Sequence, residues 1–516
     1  MSLGISHIVI GVGSESGNAS GLAARLAADP SFRPFAPRVE KLATLDIDTL
    51  GRGGVLVIIS SSFGDGEPPA TAEGFLERLN ALHAPLNVQY AIFGLGDVAY
   101  PNFCGFTKTL DAALAACGST SVVNRVDADT DYEEFFDIWR KTLLATLKGD
   151  REAGKSLALQ VKSYGENSAY RAPIVERERL NGGAPYAWHY RFDIAGSGIK
   201  YRAGDNLYVV PANDPGLLSR LADWFGSDDA YELFGPKEIR NVGKSFLRNL
   251  ARLAQNDALK ELLKSSNRAS LETYLYGRDL LDLLMDFCAR ETVTASELAQ
   301  HLPDIQPRAY SIASDGDPNH VDLCVREVSY NLQDRDRQGA ATGFLGRAQS
   351  TAPIFVRANP RFRLPADEKA PVIMIGTGTG IGPYMGLLKN AEQCERSAET
   401  CLIFGDRRSE SDFLYEERIR RWQGTGLLSK LITAFSRDGN QPYYVQHALF
   451  DNSKHIWRLL DDGAHVYVCG SKTNLGQSID DAIHRIAVQT GDLTEDLAHE
   501  FLLRLNQDQR LHKELY

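Results

Sequence analysis

Three short apolar runs, HIVIGVG (7–13), VLVIISS (55–61) and YAIFGLG (90–96), each break into a loop of Gly, Ser or Asp, and amphipathic stretches separate them. Runs this short with no polar face read as strands buried on both sides of a sheet. Their alternation with helical periodicity predicts parallel βα units. A doubly wound sheet of that kind holds its ligands beyond the carboxyl ends of the strands, which is where the three loops fall. The pattern recurs from residue 371, in PVIMIGTGTGIGP, TCLIFGD, LITAFSRD and HVYVCGS. Between the two series the texture changes. Short alternating segments, ALQVKSY, HYRFDI and NLYVVPA, punctuated by turn residues, predict an antiparallel barrel. Helical periodicity then fills 213–300, and strand-like segments return over 308–364. The expected architecture is multidomain α/β. A doubly wound domain at 1–148 is followed by a polar linker, GDREAGKSL, at 149–157. A barrel at 158–366 carries a helical insert over about 213–300, and a nucleotide-type α/β domain closes the chain at 367–516.

A chain of 516 residues has room for about three such domains. No run approaches the roughly 18 consecutive apolar residues of a membrane span, and MSLGISHIVIGVG has no basic segment of a signal peptide, so no membrane association is expected. Seven cysteines (104, 117, 288, 324, 394, 401 and 469) form no CxxC pair, which argues against a zinc site or a disulfide framework and for a reducing cytoplasm. The net charge of −11 argues against nucleic acid as a partner. Acidity concentrates in residues 1–148, with 11 basic and 17 acidic side chains. That field can steer a basic partner, or it can simply keep a small domain soluble. The segment VVNRVDADTDYEE, with Asp127, Asp129, Asp131, Glu133 and Glu134, is the candidate docking edge together with Asp65, Glu67 and Asp97; capping of the next helix or plain solvation are the alternatives.

The loops carry the chemistry. In the first, Gly13-Ser14-Glu15-Ser16-Gly17-Asn18-Ala19, hydroxyls and backbone N–H groups meet a helix N-terminus, which suits a phosphate dianion and equally suits a plain cap. The second (60–69) and third (94–104) place Phe63 and Tyr100 among glycines, so two rings at one sheet edge beside an anion site can sandwich a flat phosphorylated ring. In the barrel, RAYSIAS (308–314) combines a permanent cation, a ring and a hydroxyl on a strand, and GAAT (339–342) puts small residues at a helix start. In the last domain, Gly376-Thr377-Gly378-Thr379-Gly380-Ile381-Gly382-Pro383 lets backbone approach a pyrophosphate.

In this order the three first-domain loops resemble the flavodoxin-like, FMN-binding domain of the diflavin reductase family. The resemblance implies that Ser14, Glu15, Ser16, Gly17, Asn18 and Ala19 hold the FMN phosphate. Ser61, Ser62, Phe63, Gly64 and Gly66 from the second loop, and Leu95, Gly96, Asp97, Tyr100 and Phe103 from the third, would hold its ring, with Phe63 and Tyr100 on the two faces. Relatives more often carry Tyr at position 63. RAYSIAS and GAAT resemble the FAD signature of the ferredoxin–NADP reductase superfamily. They imply Arg308 on the FAD phosphates, Tyr310 against the flavin, Ser311 near its N5, and Gly339, Ala340, Ala341 and Thr342 around the pyrophosphate. Gly378, Thr379 and Gly380, with Arg407, Ser436, Arg437, Tyr444 and Cys469, resemble the NADPH site. By this match Ser436, Arg437 and Tyr444 grip the 2′-phosphate. Pro442 stands where relatives commonly have Lys, a loss that Arg407 or Arg408 could compensate, and Glu514 stands where most have Asp.

The family further implies a path from NADPH to FAD to FMN to an external acceptor. Ser311, Cys469 and Glu514 would orient the hydride step, and Tyr516 would cover the flavin until nicotinamide displaces it. RAYSIAS, FRLPA, PVIMIGTGTGIGP, DGAHVYVCG and the terminal Tyr are most similar to the branch whose acceptor is a haemoprotein, a sirohaem and iron–sulfur sulfite reductase. A reductase for a monooxygenase-type haemoprotein, or a carrier subunit that does not oxidise NADPH, are the alternatives. The chain opens directly on the first strand, without the oligomerising extension of that branch, so a large oligomer is not expected.

Overall fold

The computed structural model describes residues 5–14, 17–46, 54–62, 66–82, 85–97, 102–129, 132–159, 164–165, 168–348 and 350–516, without the side chains of 473 and 474. It divides into two compact units, residues 1–165 and 166–516.

The first unit is one parallel sheet. Strands β1 (His7–Gly13), β2 (Arg38–Lys41), β3 (Gly54–Ser61), β4 (Gln89–Leu95) and β5 (Thr120–Ala128) run in the order β2-β1-β3-β4-β5, the flavodoxin-like doubly wound arrangement. The apolar runs are continuous because both faces of the sheet are covered. Ile8, Ile10 and Val12 point into one core with Phe93, Phe136 and Trp139, while Val9, Leu56, Ile58 and Ile92 point into the other with Phe75 and Leu110. Residues 149–157, expected as a linker, contain the helix Arg151–Ser156, capped by the Asp150 carboxylate on the Ala153 N–H. The Asn124 amide ties it to β5 by donating to the carbonyls of Lys155 (2.7 Å) and Leu157 (3.1 Å), and Leu157 and Leu159 pack on the core. The polar sequence hid an element whose anchor is a side chain on a distant strand.

In the second unit, β6 (Tyr170–Arg179), β7 (Ala187–Asp193), β8 (Asn206–Val209), β9 (Arg308–Ser311), β10 (His320–Arg326) and the later β13 (Thr351–Arg357) form an antiparallel sheet ordered β10-β7-β6-β13-β8-β9. A bridge between Ile312 and Leu323 brings the two edges together and closes the barrel. Between β8 and β9 lies the insert, seven α-helices from Pro215–Phe225 to Ala295–Ala299 around a core of their own that includes Leu221, Phe234, Leu250 and Leu284. A hairpin, β11 (Ser329–Leu332) and β12 (Arg335–Gln338), follows β10 and leads into the helix Ala340–Arg347.

The third sheet is again parallel: β14 (Val372–Thr377), β15 (Thr400–Asp406), β16 (Lys430–Phe435), β17 (His465–Gly470) and β18 (Leu511–Leu515), ordered β16-β15-β14-β17-β18. Ile373, Ile375, Ile403 and Val468 face one core. Met374, Phe404, Tyr467 and Cys469 face another, shared with the barrel residues Ala187, Ala313 and Cys324. That common core makes barrel and third sheet one unit and sets the carboxyl ends of β14 and β17 against β9.

Candidate functional site

At the first sheet, Ser14 follows β1. Its backbone N–H donates to Thr71 Oγ1 (2.7 Å), the Thr71 hydroxyl donates back to the Ser14 carbonyl (3.0 Å), and the Gly17 N–H donates to Ser14 Oγ (3.1 Å). Gly17 has φ +91°, a left-handed turn suited to glycine, and precedes the helix Asn18–Ala28; the space beside its Cα is open. Ala19 is fully buried, so only its backbone can face a ligand. Ser61 Oγ donates to the Gly13 carbonyl (3.4 Å), Ser62 Oγ accepts from the Phe106 N–H (3.2 Å), and the Ser62 N–H donates to the Leu95 carbonyl. These bonds knit the ends of β1, β3 and β4 into one rim. Gly66 packs against Asn102, Gly96 donates to the Ala128 carbonyl, and Asp97 is half-buried. Phe103 is buried, with the Lys108 ammonium 5.2 Å above its ring, so it serves the loop's packing. Glu15, Ser16, Phe63, Gly64, Asp65, Tyr100 and Asp131 lie outside the described residues. The open helix start beside Ser14 fits a phosphate. The acidic edge is partly neutralised: Arg125 pairs with Asp127 (3.0 Å) and Asp111 (2.6 Å), and Arg25 with Glu133 (2.7 Å).

The second unit assembles residues from three distant segments. Register in the β8–β9 pair sets Asn206 opposite Ser311, and register in the β17–β18 pair sets Cys469 opposite Glu514. Ser311 meets both the Cys469 thiol and the Glu514 carboxyl. Burial pushes the Glu514 carboxyl up to about 7, hydrogen bonds from Ser311 and Asn206 holding it back. Burial and then the Glu514 charge raise the Cys469 thiol well above its ordinary value, so it stays protonated. Glu514 Oε2 and Asn206 Oδ1 are buried without a hydrogen-bond partner. Two such orphans in one place mark a site shaped for a polar guest. Tyr516 is 63% exposed, and its hydroxyl lies 3.0 Å from Thr379 Oγ1.

Thr379 belongs to the tight turn Gly378–Ile381 between β14 and the helix Gly382–Gln393. A methyl group on Gly380 would overlap the Cys469 carbonyl, so only glycine lets the turn close onto β17. Arg326, on β10, comes to the same turn. Its guanidinium bonds Asp406 (2.6 Å) and keeps one buried nitrogen, Nη1, without a hydrogen-bond partner. No sequence signal pointed to Arg326, because its strand lies far from the glycines along the chain.

The loops after β15 and β16 are zipped by Ser436 N–H to the Asp406 carbonyl (3.0 Å) and Arg437 N–H to the Arg407 carbonyl (2.8 Å). Arg437 is exposed and has no carboxylate partner among the described residues, and Tyr444, 46% exposed, opens the helix Val445–Asp451. Arg407 donates to the Ala184 carbonyl (3.2 Å), which leaves Arg408 the freer substitute for the cation absent at Pro442.

Between insert and barrel lies a cleft of about 470 Å³ lined by Arg308, Gly339 and Ala340 together with Glu238, Arg240 and Arg278. Arg308 shares a face of β9 with Tyr310, whose hydroxyl is raised by burial and lowered by Arg308. Arg308 donates to Glu238 (2.7 Å), a buried carboxylate that also accepts from the N–H groups of Arg240 and Asn241. Glu238 thereby positions Arg308, and nothing in the local sequence marked it. Gly339 precedes the helix Ala340–Arg347, Ala341 is buried beneath it, and Thr342 Oγ1 accepts from the Val328 N–H (3.3 Å). Three guanidiniums outnumber the two carboxylates of the lining, Glu238 and Glu272, and with the adjoining helix start they fit a pyrophosphate. Among the described residues no group of side chains could hold a metal ion, and no helix is long and apolar enough to cross a membrane.

Comparison with known proteins agrees with this geometry. A flavodoxin family profile matches residues 10–139, and an oxidoreductase NAD-binding domain profile matches residues 374–478. The sulfite reductase [NADPH] flavoprotein alpha-component of Bacillus subtilis (strain 168) is 31% identical over 99% of this chain and 89% of its own length. Proteins of the same description from Mannheimia succiniciproducens and Serratia proteamaculans are each 30% identical, over 98% of this chain and 89% of theirs. Sequence shared over nearly the whole chain settles the grouping: it belongs to the family of the sulfite reductase [NADPH] flavoprotein alpha-component.

Proposed function

We propose that the chain oxidises NADPH at the Ser311–Cys469–Glu514–Tyr516 cluster and delivers the electrons, through FAD and then FMN, to a sirohaem and iron–sulfur haemoprotein in the cytoplasm. It is an NADPH-dependent flavoprotein oxidoreductase with FMN, FAD and NADPH as its cofactors. The observation that carries the site assignment is the convergence of three distant segments on one pair of unpartnered buried oxygens. When bound, the flavins accept a hydride equivalent and release electrons singly, as a haem or iron–sulfur acceptor requires.

The chain's own residues prepare that exchange. Ser311 orients the Glu514 carboxyl, which holds its proton up to about pH 7 and carries charge above it. Tyr516, hydrogen-bonded through its hydroxyl to Thr379, would cover the flavin face and would have to move aside to admit nicotinamide. Gly378 to Gly380 offer backbone to the coenzyme pyrophosphate, while Arg437, Ser436 and Tyr444 receive the 2′-phosphate. Arg308 and the helix start at 339–342 hold the FAD pyrophosphate. Ser14 to Ala19 hold the FMN phosphate. Seven free cysteines suit a reducing compartment.

The purified protein is expected to be yellow and to bleach within seconds of NADPH addition under argon. Colour that persists with NADPH yet bleaches with dithionite would instead assign a carrier without NADPH chemistry. A sirohaem protein co-purifying from native extract tests the acceptor, and its absence beside a different haemoprotein overturns that part. The fragment 1–165 is expected to fold with FMN and to resist reduction by NADPH; a folded fragment that binds no flavin contradicts the assignment of its loops.

A further inference from the structure

The segment 358–371 joins β13 to β14 and crosses from the barrel to the third sheet. On the barrel side it is held by Asp205, a buried residue immediately before β8. Asp205 Oδ1 accepts from the Asn359 N–H (2.8 Å) and from the Arg363 guanidinium, and Oδ2 accepts from the Arg202 N–H (2.8 Å). The Arg363 guanidinium also donates to the Ala203 carbonyl. On the sheet side, the Tyr467 hydroxyl of β17 donates to the Arg363 carbonyl, and the Phe362 ring meets the Tyr467 ring edge-on at 5.3 Å. A carboxylate is tolerated at such depth because both its oxygens are engaged and a guanidinium opposes its charge.

The same residue reaches the Ser311–Cys469–Glu514 cluster by two further routes. Its backbone carbonyl accepts from the Ile312 N–H (2.9 Å), next to Ser311, and its neighbour Asn206 lies opposite Ser311 in the β8–β9 register. Ser311 and Asn206 are the side chains that hydrogen-bond Glu514. Tyr467, held through Arg363, stands two residues before Cys469 on one face of β17. One ion pair thus joins the strands that present Asn206, Ser311 and Cys469.

We infer that Asp205 is a positioning residue for the hydride step: paired with Arg363, it fixes the strand ends that bring Asn206 and Ser311 onto Glu514. The inference rests on the reading of Glu514 as a residue of that step. Asp205 also bears on Glu514 by charge. Around that carboxyl, burial keeps the Cys469 thiol, the Tyr384 hydroxyl of the helix Gly382–Gln393 and the Tyr516 hydroxyl protonated, and lowers His512 on its own strand. Lys513, between them on β18, pairs with Asp480 (2.6 Å). Asp205 is the like charge that adds to burial in keeping the Glu514 proton.

The test uses the full-length holoprotein, both flavins counted, and two variants. Asp205→Asn keeps the shape and removes the charge, whereas Arg363→Lys keeps the charge and removes the planar fork. Anaerobic stopped-flow follows flavin reduction by NADPH against pH, and melting of the flavin-free protein against pH reads the same carboxyl without activity. In the wild type both change through about 7. Asp205→Asn is expected to move both midpoints down by about half a unit, since Glu514 ionises more easily without a like charge nearby. Arg363→Lys is expected to lower the saturated rate at pH 8 about fivefold and to leave the midpoints and the NADPH Michaelis constant in place, the mark of lost placement and not of lost binding. An unchanged saturated rate in Arg363→Lys overturns the positioning role, and this variant decides it even if Asp205→Asn does not fold with its flavins. Midpoints that stay put in Asp205→Asn overturn the charge effect. A wild-type rate that does not rise through about 7, or a Glu514→Gln rate that still does, removes instead the reading of Glu514 on which the inference rests.

Discussion

Replacing Glu514 by Gln slows reduction of the bound flavin by NADPH about a hundredfold at pH 8, the scale on which loss of one preorganised charge near a reacting centre is felt. If Glu514 serves the hydride step as proposed, its carboxylate, charged above about 7, would stabilise the positive charge that develops on the nicotinamide. The wild-type hydride rate therefore rises as pH increases through about 7, whereas the Gln variant is flat, and the gap narrows from about a hundredfold at pH 8 to about tenfold at pH 6. Anaerobic stopped-flow absorbance across pH 6–8.5 measures both. Equal rates and parallel profiles would remove Glu514 from the hydride step.

Stability runs the other way. The folded carboxyl keeps its proton up to about 7, against an ordinary value of 4.5 when unfolded, so the native state binds more protons across that window. The stabilisation is complete below about 4.5 and is lost as pH rises through about 7, on the order of 3 kcal/mol for the whole shift. Glu514→Gln should flatten the melting temperature of the flavin-free protein over this range. A variant that melts with the wild-type pH dependence would contradict the burial argument.

Arg437→Ala raises the Michaelis constant for NADPH tenfold or more and leaves NADH almost untouched, since a charge-assisted contact is worth roughly 1.5–3 kcal/mol. The side chain is exposed and has no carboxylate partner among the described residues, so removing it costs the fold little. Steady-state kinetics with both coenzymes decide the matter. Equal losses for NADPH and NADH would show that Arg437 supports the loop after β16 and not the 2′-phosphate. Arg408→Ala gives a smaller loss of the same kind if that exposed cation offsets Pro442.

Much of this molecule is legible in its residues. Apolar runs such as VLVIISS can only be strands covered on both faces, and the loops that follow them can only lie at carboxyl ends, so both nucleotide-type sheets and the positions of Gly17 and Gly378–Gly380 follow from local pattern. RAYSIAS shows a cation, a ring and a hydroxyl on one short strand, which the structure makes β9, while the roles expected of Arg308 and Ser311 came from the family resemblance and not from that pattern. The acidic segment after β5 reads differently in three dimensions: Arg25, more than 100 residues before Glu133, supplies the counter-charge. Residues 149–157 carry the signals of a linker, and Asn124 makes part of them a helix end.

What the sequence by itself determined is therefore each element and each loop that periodicity and turn chemistry encode, since those depend on neighbours a few positions away. Tertiary structure alone decided that Ser311, Cys469 and Glu514 meet, that Glu238 aims Arg308 and that Arg326 reaches the Gly378 turn. Each of these depends on strand register and on a core shared between barrel and sheet, formed by segments tens to hundreds of residues apart. The shift of Glu514 to about 7 has the same origin, because burial is a property of the packed fold and no residue carries it alone.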